Sequence, residues 1–221
     1  MAVVTVSASY GAGGSVIGPL VAEALGLPFV DRAIPVSVAE RLGVAPRTAE
    51  GAEESSENLL WRALSSMALV PDLVGAGALA YVPVPGEDSF RAQTERVLRE
   101  VATTTGGVIL GRAAALVLAD VPGALHVRLD GPAEGRVDNA VKAFGVTPEQ
   151  ARAILRKTDA ARHGYVRHYY GREATDPGLY HLVLDTTAVP WPAAVELVAG
   201  AARACGVCGD GGVSAPAPGR G

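Results

Sequence analysis

The segment that most restricts this chain is Ala8 to Ser15, ASYGAGGS. It lies between a short β-branched run, Val3 to Val6, and apolar residues at helical spacing, Ile17, Leu20, Val21, Ala24 and Leu25. A strand that ends in a glycine-rich turn and passes into a helix leaves the helix's first amides open to an anion. Gly11 and Gly13 allow positive φ and close backbone approach. Against the phosphate-loop pattern G-x-x-x-x-G-K-[ST], Ala8 stands for the first glycine, Gly14 for the lysine and Ser15 for the hydroxyl residue. By the pattern alone, the stretch fits either a phosphate site built from backbone amides or a structural turn.

Strand and helix signals alternate along the rest of the chain. LPFVD (Leu27 to Asp31), GVILG (Gly107 to Gly111), LHVRLD (Leu125 to Asp130) and YHLVLDT (Tyr180 to Thr186) read as strands. Helices are expected from Ser89 to about Ala102 and from Pro192 to Ala204. Pro19 predicts a first helix that starts late, near Val16, or is distorted. Between Arg32 and Asp88, helix-compatible stretches at 36–42 and 57–69 flank the acidic run EGAEESSE. The alternation predicts an α/β fold, a parallel sheet with helices on both faces. Ligands of such sheets bind beyond the carboxyl ends of the strands. The glycine loop, Asp31, Gly111-Arg112, Asp130 and Asp185-Thr186 all fall there.

Charge narrows the partners. The net charge is −4, so neither nucleic acid nor an anionic membrane is an expected partner, and any anion site must come from local arginines. Lysine occurs only at Lys142 and Lys157. No apolar stretch is of membrane-spanning length and no signal-peptide pattern opens the chain, which predicts a cytoplasmic protein. Cys205 and Cys208, in CGVC, have no further cysteine or nearby histidine and read as two thiols in a reducing compartment. His126, His163, His168 and His181 lack metal-ligand spacing. The segment GDGGVSAPAPGRG has nothing to bury and predicts a disordered tail over 205–221.

An arginine-rich helix is also expected. Thr147-Pro-Glu-Gln150 has the form of a capping box, with proline at the first helical position. The helix it opens carries Arg152, Arg156, Lys157, Asp159 and Arg162. The spacing of Arg156, Asp159 and Arg162 lets them share a face and hold one another. From charge alone, this is equally a solvated helix with ordinary ion pairs.

Three segments together resemble the cytidylate kinase-like family. TVSASYGAGGSVIGPLVAEALGLPFVDRAI is similar to its opening, and FRAQTERVLREVATTTGGVILGRAAALVL to its helix and Gly-Arg strand end. RKTDAARHGYVRHYYG with YHLVLDTT is similar to its lid and final strand. The resemblance spans most of Ala2 to Ala202. The family opens with Ser-Arg-x-x-Gly-x-Gly-Gly and itself lacks the loop lysine, as this chain does at Gly14; two positions depart, Ala8 in place of the family's arginine and Ala113 after Gly-Arg in place of aspartate.

The resemblance implies a P-loop NTPase-type domain over 1–204, with a nucleoside-monophosphate arm at about 32–88 and a lid at about 140–175. It implies nucleotide substrates, with ATP and Mg2+ across Gly11, Ala12, Gly13, Gly14 and Ser15, and Ser15 as the metal ligand. Asp31, Arg32, Arg112 and Asp185 would meet the acceptor, Arg112 at its phosphate; a structural surface arginine is the alternative for Arg112, and a strand-end turn cap for Asp185. Arg162 and then Arg156 would lie over the transferred group, where an arginine's planar fork suits phosphate oxygens. The implied reaction is phosphoryl transfer from ATP to a nucleoside monophosphate, CMP or dCMP. The alternatives are a nucleotide-binding regulatory protein without turnover and a small-molecule kinase of the same fold.

Overall fold

The structure, a computed structural model, describes residues 2–30 and 87–206. Asp31, Arg32, the stretches at 36–42 and 57–69, nearly all of the 32–88 arm and the tail from residue 207 lie outside the described residues.

Five strands, β1 (Val3–Ala8), β2 (Phe29–Val30), β3 (Gly107–Leu110), β4 (Leu125–Asp130) and β5 (Leu182–Asp185), form one parallel sheet in the order β2-β3-β1-β4-β5. The helices are α1 (Gly14–Leu25), α2 (Glu87–Thr104), α3 (Ala114–Val117), α4 (Ala133–Phe144), α5 (Pro148–Tyr170) and α6 (Trp191–Ala204). The expected α/β class is the observed one.

Period-two alternation sorts the strand residues between two layers. Val4, Val6 and Val108 pack with Ile17 and Val21 of α1 and with Ala194 and Val198 of α6. Val3 and Ile109 face the other way, onto Val97 and Leu98 of α2 and onto α3. Covering both faces is what a parallel sheet requires, and it accounts for apolar residues on both faces of the strands, with Thr5, His126 and Arg128 the buried polar exceptions on β1 and β4. A smaller cluster, Val137, Ala140, Ala151 and Leu155, joins α4 to α5.

Helix α1 begins at Gly14, not near Val16, and continues through Pro19. Proline there removes only the bond that would run from position 19 to the Ser15 carbonyl, and packing of Ile17 and Val21 holds the rest. The capping box of α5 is present: Gln150 N donates to Thr147 Oγ1 and Thr147 N donates to Gln150 Oε1. Central β1 therefore delivers the glycine loop to the middle of the carboxyl edge, between the ends of β3 and β4.

Candidate functional site

The glycine loop is shaped by its neighbours. Gly11 has φ 76° and Gly13 φ 79°, both left-handed, which non-glycine residues rarely adopt. A Cβ on Gly11 would collide with the Arg136 carbonyl, and one on Gly13 would lie 2.7 Å from the Trp191 ring. Thr186 Oγ1 donates to the Ala12 carbonyl at 2.9 Å. Gly13 caps α1 with no side-chain acceptor, so the first amides of the helix are not consumed by a cap. Backbone of this form suits a phosphate group. Ser15 is exposed on the first turn of α1, and Gly14 beside it is buried.

Lysine is missing at Gly14 for a steric reason. A Cβ there would sit 2.6 Å from the Ala8 Cβ and 3.2 Å from Leu110 Cδ1. Two rigid positions have exchanged bulk relative to the phosphate-loop pattern, where glycine stands at the first and lysine at the second.

Arg162 reaches the same place from α5. Its Nη1 donates to the Ala8 carbonyl at 2.6 Å, which puts a guanidinium at the end of β1. Arg156 is exposed on α5. Six residues turn a helix by roughly 600°, so Arg156 points about 120° away from Arg162. The expected Arg156–Asp159–Arg162 ladder is corrected in its centre. Asp159 faces the loop, accepting from Tyr10 N at 2.9 Å and from Arg136 Nη1 at 2.7 Å.

Gly111, Arg112 and Ala113 form a turn of three consecutive left-handed residues, with φ 76°, 61° and 51°. Each of the two non-glycine residues costs roughly 1–3 kcal/mol, strain that concentrates at functional turns. Arg112 is buried beside Tyr165, whose hydroxyl burial pushes above its ordinary pKa while the arginine's charge works against that rise. Asp185, by contrast, is exposed, and its Oδ1 accepts from Thr187 N at 2.9 Å and from Thr187 Oγ1 at 2.6 Å. Those hydrogen bonds hold its carboxyl below the usual range. Its geometry is that of the strand-end turn.

Sequence reasoning missed a pair of buried arginines. Arg128, on β4, donates to Asp130 Oδ2 at 2.5 Å, to Ser9 Oγ at 3.0 Å and to the Ala174 carbonyl at 2.9 Å. Burial pushes the Asp130 carboxyl up, but the charge and hydrogen bonds of Arg128 outweigh it and bring the pKa below the ordinary value. Arg136, on α4, donates to the carbonyls of Tyr10 and Gly131, each at 2.9 Å. Arg128 and Asp130 stand two apart on one strand, an alternation visible in HVRLD; nothing local marks Arg136 or Trp191, and Thr186 is marked only by its place at a strand end.

The carboxyl end of β1 therefore carries the first backbone amides of α1, the exposed Ser15 and the Arg162 guanidinium at the Ala8 carbonyl. Among the described residues no group of three His, Cys, Asp or Glu could hold a metal ion, and no helix is long and apolar enough to cross a membrane.

Known proteins resemble this chain over different shares of its length. The chain is 32% identical over 103 residues to a cytidylate kinase of Methanopyrus kandleri, covering 43% of this chain and 53% of that one. It is 31% identical over 97 residues to a uronate isomerase of Corynebacterium glutamicum, covering 44% of this chain and 19% of that one. The chain thus spans about half the length of the first of these relatives and a fifth of the second. A solved structure of an uncharacterized protein from Eubacterium ventriosum shares the fold, with TM-score 0.65, 16% identity, and coverage of 92% of this chain and 99% of that one. The family description that matches residues 3–188 takes in the glycine loop, the Gly-Arg turn, α5 and β5 alike, and the chain belongs to the cytidylate kinase-like family.

Proposed function

We propose that this protein transfers the γ-phosphoryl group of ATP to a nucleoside monophosphate, with CMP or dCMP first among acceptors. The observation that carries the reading is the glycine loop at the end of β1, with its left-handed Gly11 and Gly13 and a lid arginine hydrogen-bonded to its first residue. The loop suits phosphate because Gly13 opens α1 with no side-chain cap on the helix's first amides, while Arg136 and Trp191 close in on Gly11 and Gly13 so that only glycine fits there. The relative named a cytidylate kinase supports the choice of acceptor.

Gly11 to Ser15 would hold the β- and γ-phosphates on amides, and the Ser15 hydroxyl would hold Mg2+ together with phosphate oxygens. Bound ATP with Mg2+ supplies the phosphoryl group. Arg112 would grip the acceptor's phosphate through a charge-assisted fork, with Asp31 and Arg32 toward the acceptor and Asp185 bordering the same edge. An acceptor phosphate oxygen then bonds to the γ-phosphorus as the β–γ bridging bond breaks and ADP leaves. Arg162 would stabilise the charge spread over the transferred group, in place of a loop lysine, with Arg156 as second cation. Positioning and charge suffice for this chemistry.

A binder without turnover is favoured by the filled space at Gly14, which excludes lysine. An ADP-release assay with Mg2+ over the nucleoside monophosphates separates the two. Release dependent on CMP or dCMP supports the kinase; nucleotide binding with no release for any acceptor supports the binder.

A further inference from the structure

Tyr10 is held by both of its backbone polar groups. Its N–H donates to Asp159 Oδ1 at 2.9 Å and its carbonyl accepts from Arg136 Nη1 at 2.9 Å. The same Nη1 donates to Asp159 Oδ2 at 2.7 Å, and Arg136 Nε donates to the Gly131 carbonyl at 2.9 Å. Both side chains are nearly out of solvent, Arg136 at 10% exposure and Asp159 at 12%. One residue on, Gly11 lies so close to the Arg136 carbonyl that no side chain fits between them. The loop near the start of the chain and two consecutive helices more than a hundred residues later, α4 and α5, meet in one buried ion pair.

We propose that Asp159 and Arg136 are positioning residues that clasp the glycine loop in its anion-receiving shape before any ligand arrives. The loop contains Gly11, Gly13 and Gly14, and left alone such a chain would sample many conformations. With no lysine to add a charge, the loop's attraction for phosphate comes from amides that must point the same way, and aligned dipoles are effective only when fixed beforehand. Asp159 sits three residues before Arg162 on α5, so the clasp also fixes the root from which Arg162 reaches Ala8. The lid helix is thereby fastened to the loop at Asp159.

The consequence for nucleotide affinity rests on the function proposed above; the consequence for the ligand-free loop does not. Two variants separate the parts of the clasp. Asp159→Ala removes both hydrogen bonds. Asp159→Asn can keep the acceptor for Tyr10 N but loses the charge that Arg136 faces. Amide hydrogen exchange on the ligand-free protein should show Tyr10 to Gly14 exchanging tens of times faster in Asp159→Ala and by a smaller factor in Asp159→Asn, with the amides of β4 unchanged. Calorimetry with ATP and Mg2+ should show Kd raised about 10- to 100-fold in the alanine variant, in the same order of variants. Faster exchange spread evenly over β1 and β4, or a loop no faster than in the wild type, would overturn the clasp. So would local loosening with unchanged ATP affinity, since the loop's shape would then be irrelevant to binding. If the wild type binds no nucleoside triphosphate, the functional reading falls while the exchange result still decides the clasp. If the alanine variant does not fold, the asparagine variant carries both measurements.

Discussion

The Cβ of Ala8 lies 2.6 Å from the place a Cβ on Gly14 would occupy. Real Cβ atoms do not approach that closely, and both positions are rigid, one on a central strand and one on the first turn of α1. Gly14→Ala should therefore destabilise the fold by roughly 1–3 kcal/mol, outweighing the usual helical advantage of alanine. Ala8→Gly should relieve it, so that the double variant is more stable than the two single effects added together. Urea unfolding of the four proteins measures this; strict additivity would mean that the two positions do not compete for space. Gly14→Lys alone should bring no gain in turnover.

Arg162 carries the catalytic burden in this account. Arg162→Ala should lower kcat roughly 10²–10³-fold, about 3–4 kcal/mol, while the Kd for ATP changes little. Arg162→Lys should rescue poorly, because a point charge cannot reproduce the fork with which Arg162 donates to the Ala8 carbonyl and, in the proposed reaction, would meet phosphate. Steady-state kinetics beside calorimetry reads both. A variant that loses ATP binding with kcat intact would make Arg162 a binding residue only.

Arg112 is held in a strained turn, which points to a role that side-chain packing alone does not explain. Loss of a charge-assisted contact, about 1.5–3 kcal/mol, should raise the acceptor KM roughly 10- to 100-fold in Arg112→Ala and leave the ATP KM near its wild-type value. Equal effects on both substrates would return Arg112 to a structural role.

At the opposite end of the sheet, His126 is buried on β4 and stacks on His181 with ring centroids 4.9 Å apart. Burial and the neighbouring imidazole lower its pKa to about 4, against a weaker rise from a hydrogen bond to the Leu118 backbone. The unfolded chain binds this proton near pH 6.5 and the folded one only near 4. Stability is thus fully present above about pH 6.5 and falls as pH drops toward 4, by up to about 3 kcal/mol. His126→Asn should flatten that slope in urea midpoints taken between pH 7 and 4.5. An equal slope in both proteins would assign the acid sensitivity to other groups.

Local sequence carried the framework because its determinants are local. The apolar alternation of Val3 to Val6, the left-handed glycines and the Thr147–Gln150 box each act within a few residues of themselves. The start of α1 differs from the expectation because Pro19 costs one helical bond, while packing of the apolar face decides where the helix begins. The clasp was not legible, since Tyr10, Arg136 and Asp159 lie more than a hundred residues apart in part and meet only once β1 and β4 pair. For Asp159, helical spacing points to partners on its own helix, whereas its carboxylate turns to the loop and accepts from Tyr10 N and Arg136 Nη1. Arg128 looked like a strand residue and is one, and only pairing with β1 reveals that it touches Ser9.

The central claim is phosphoryl transfer without a loop lysine, and it is tested most directly by following phosphorus resonances of ATP, CMP and Mg2+ mixed with the wild-type protein. The account predicts that the γ-phosphorus signal of ATP declines as the β-phosphorus signal of CDP and the signals of ADP grow in equal amounts, and that Arg162→Ala slows this roughly 10²–10³-fold. Saturating ATP binding with no diphosphate formed from CMP, dCMP or any other nucleoside monophosphate would contradict it.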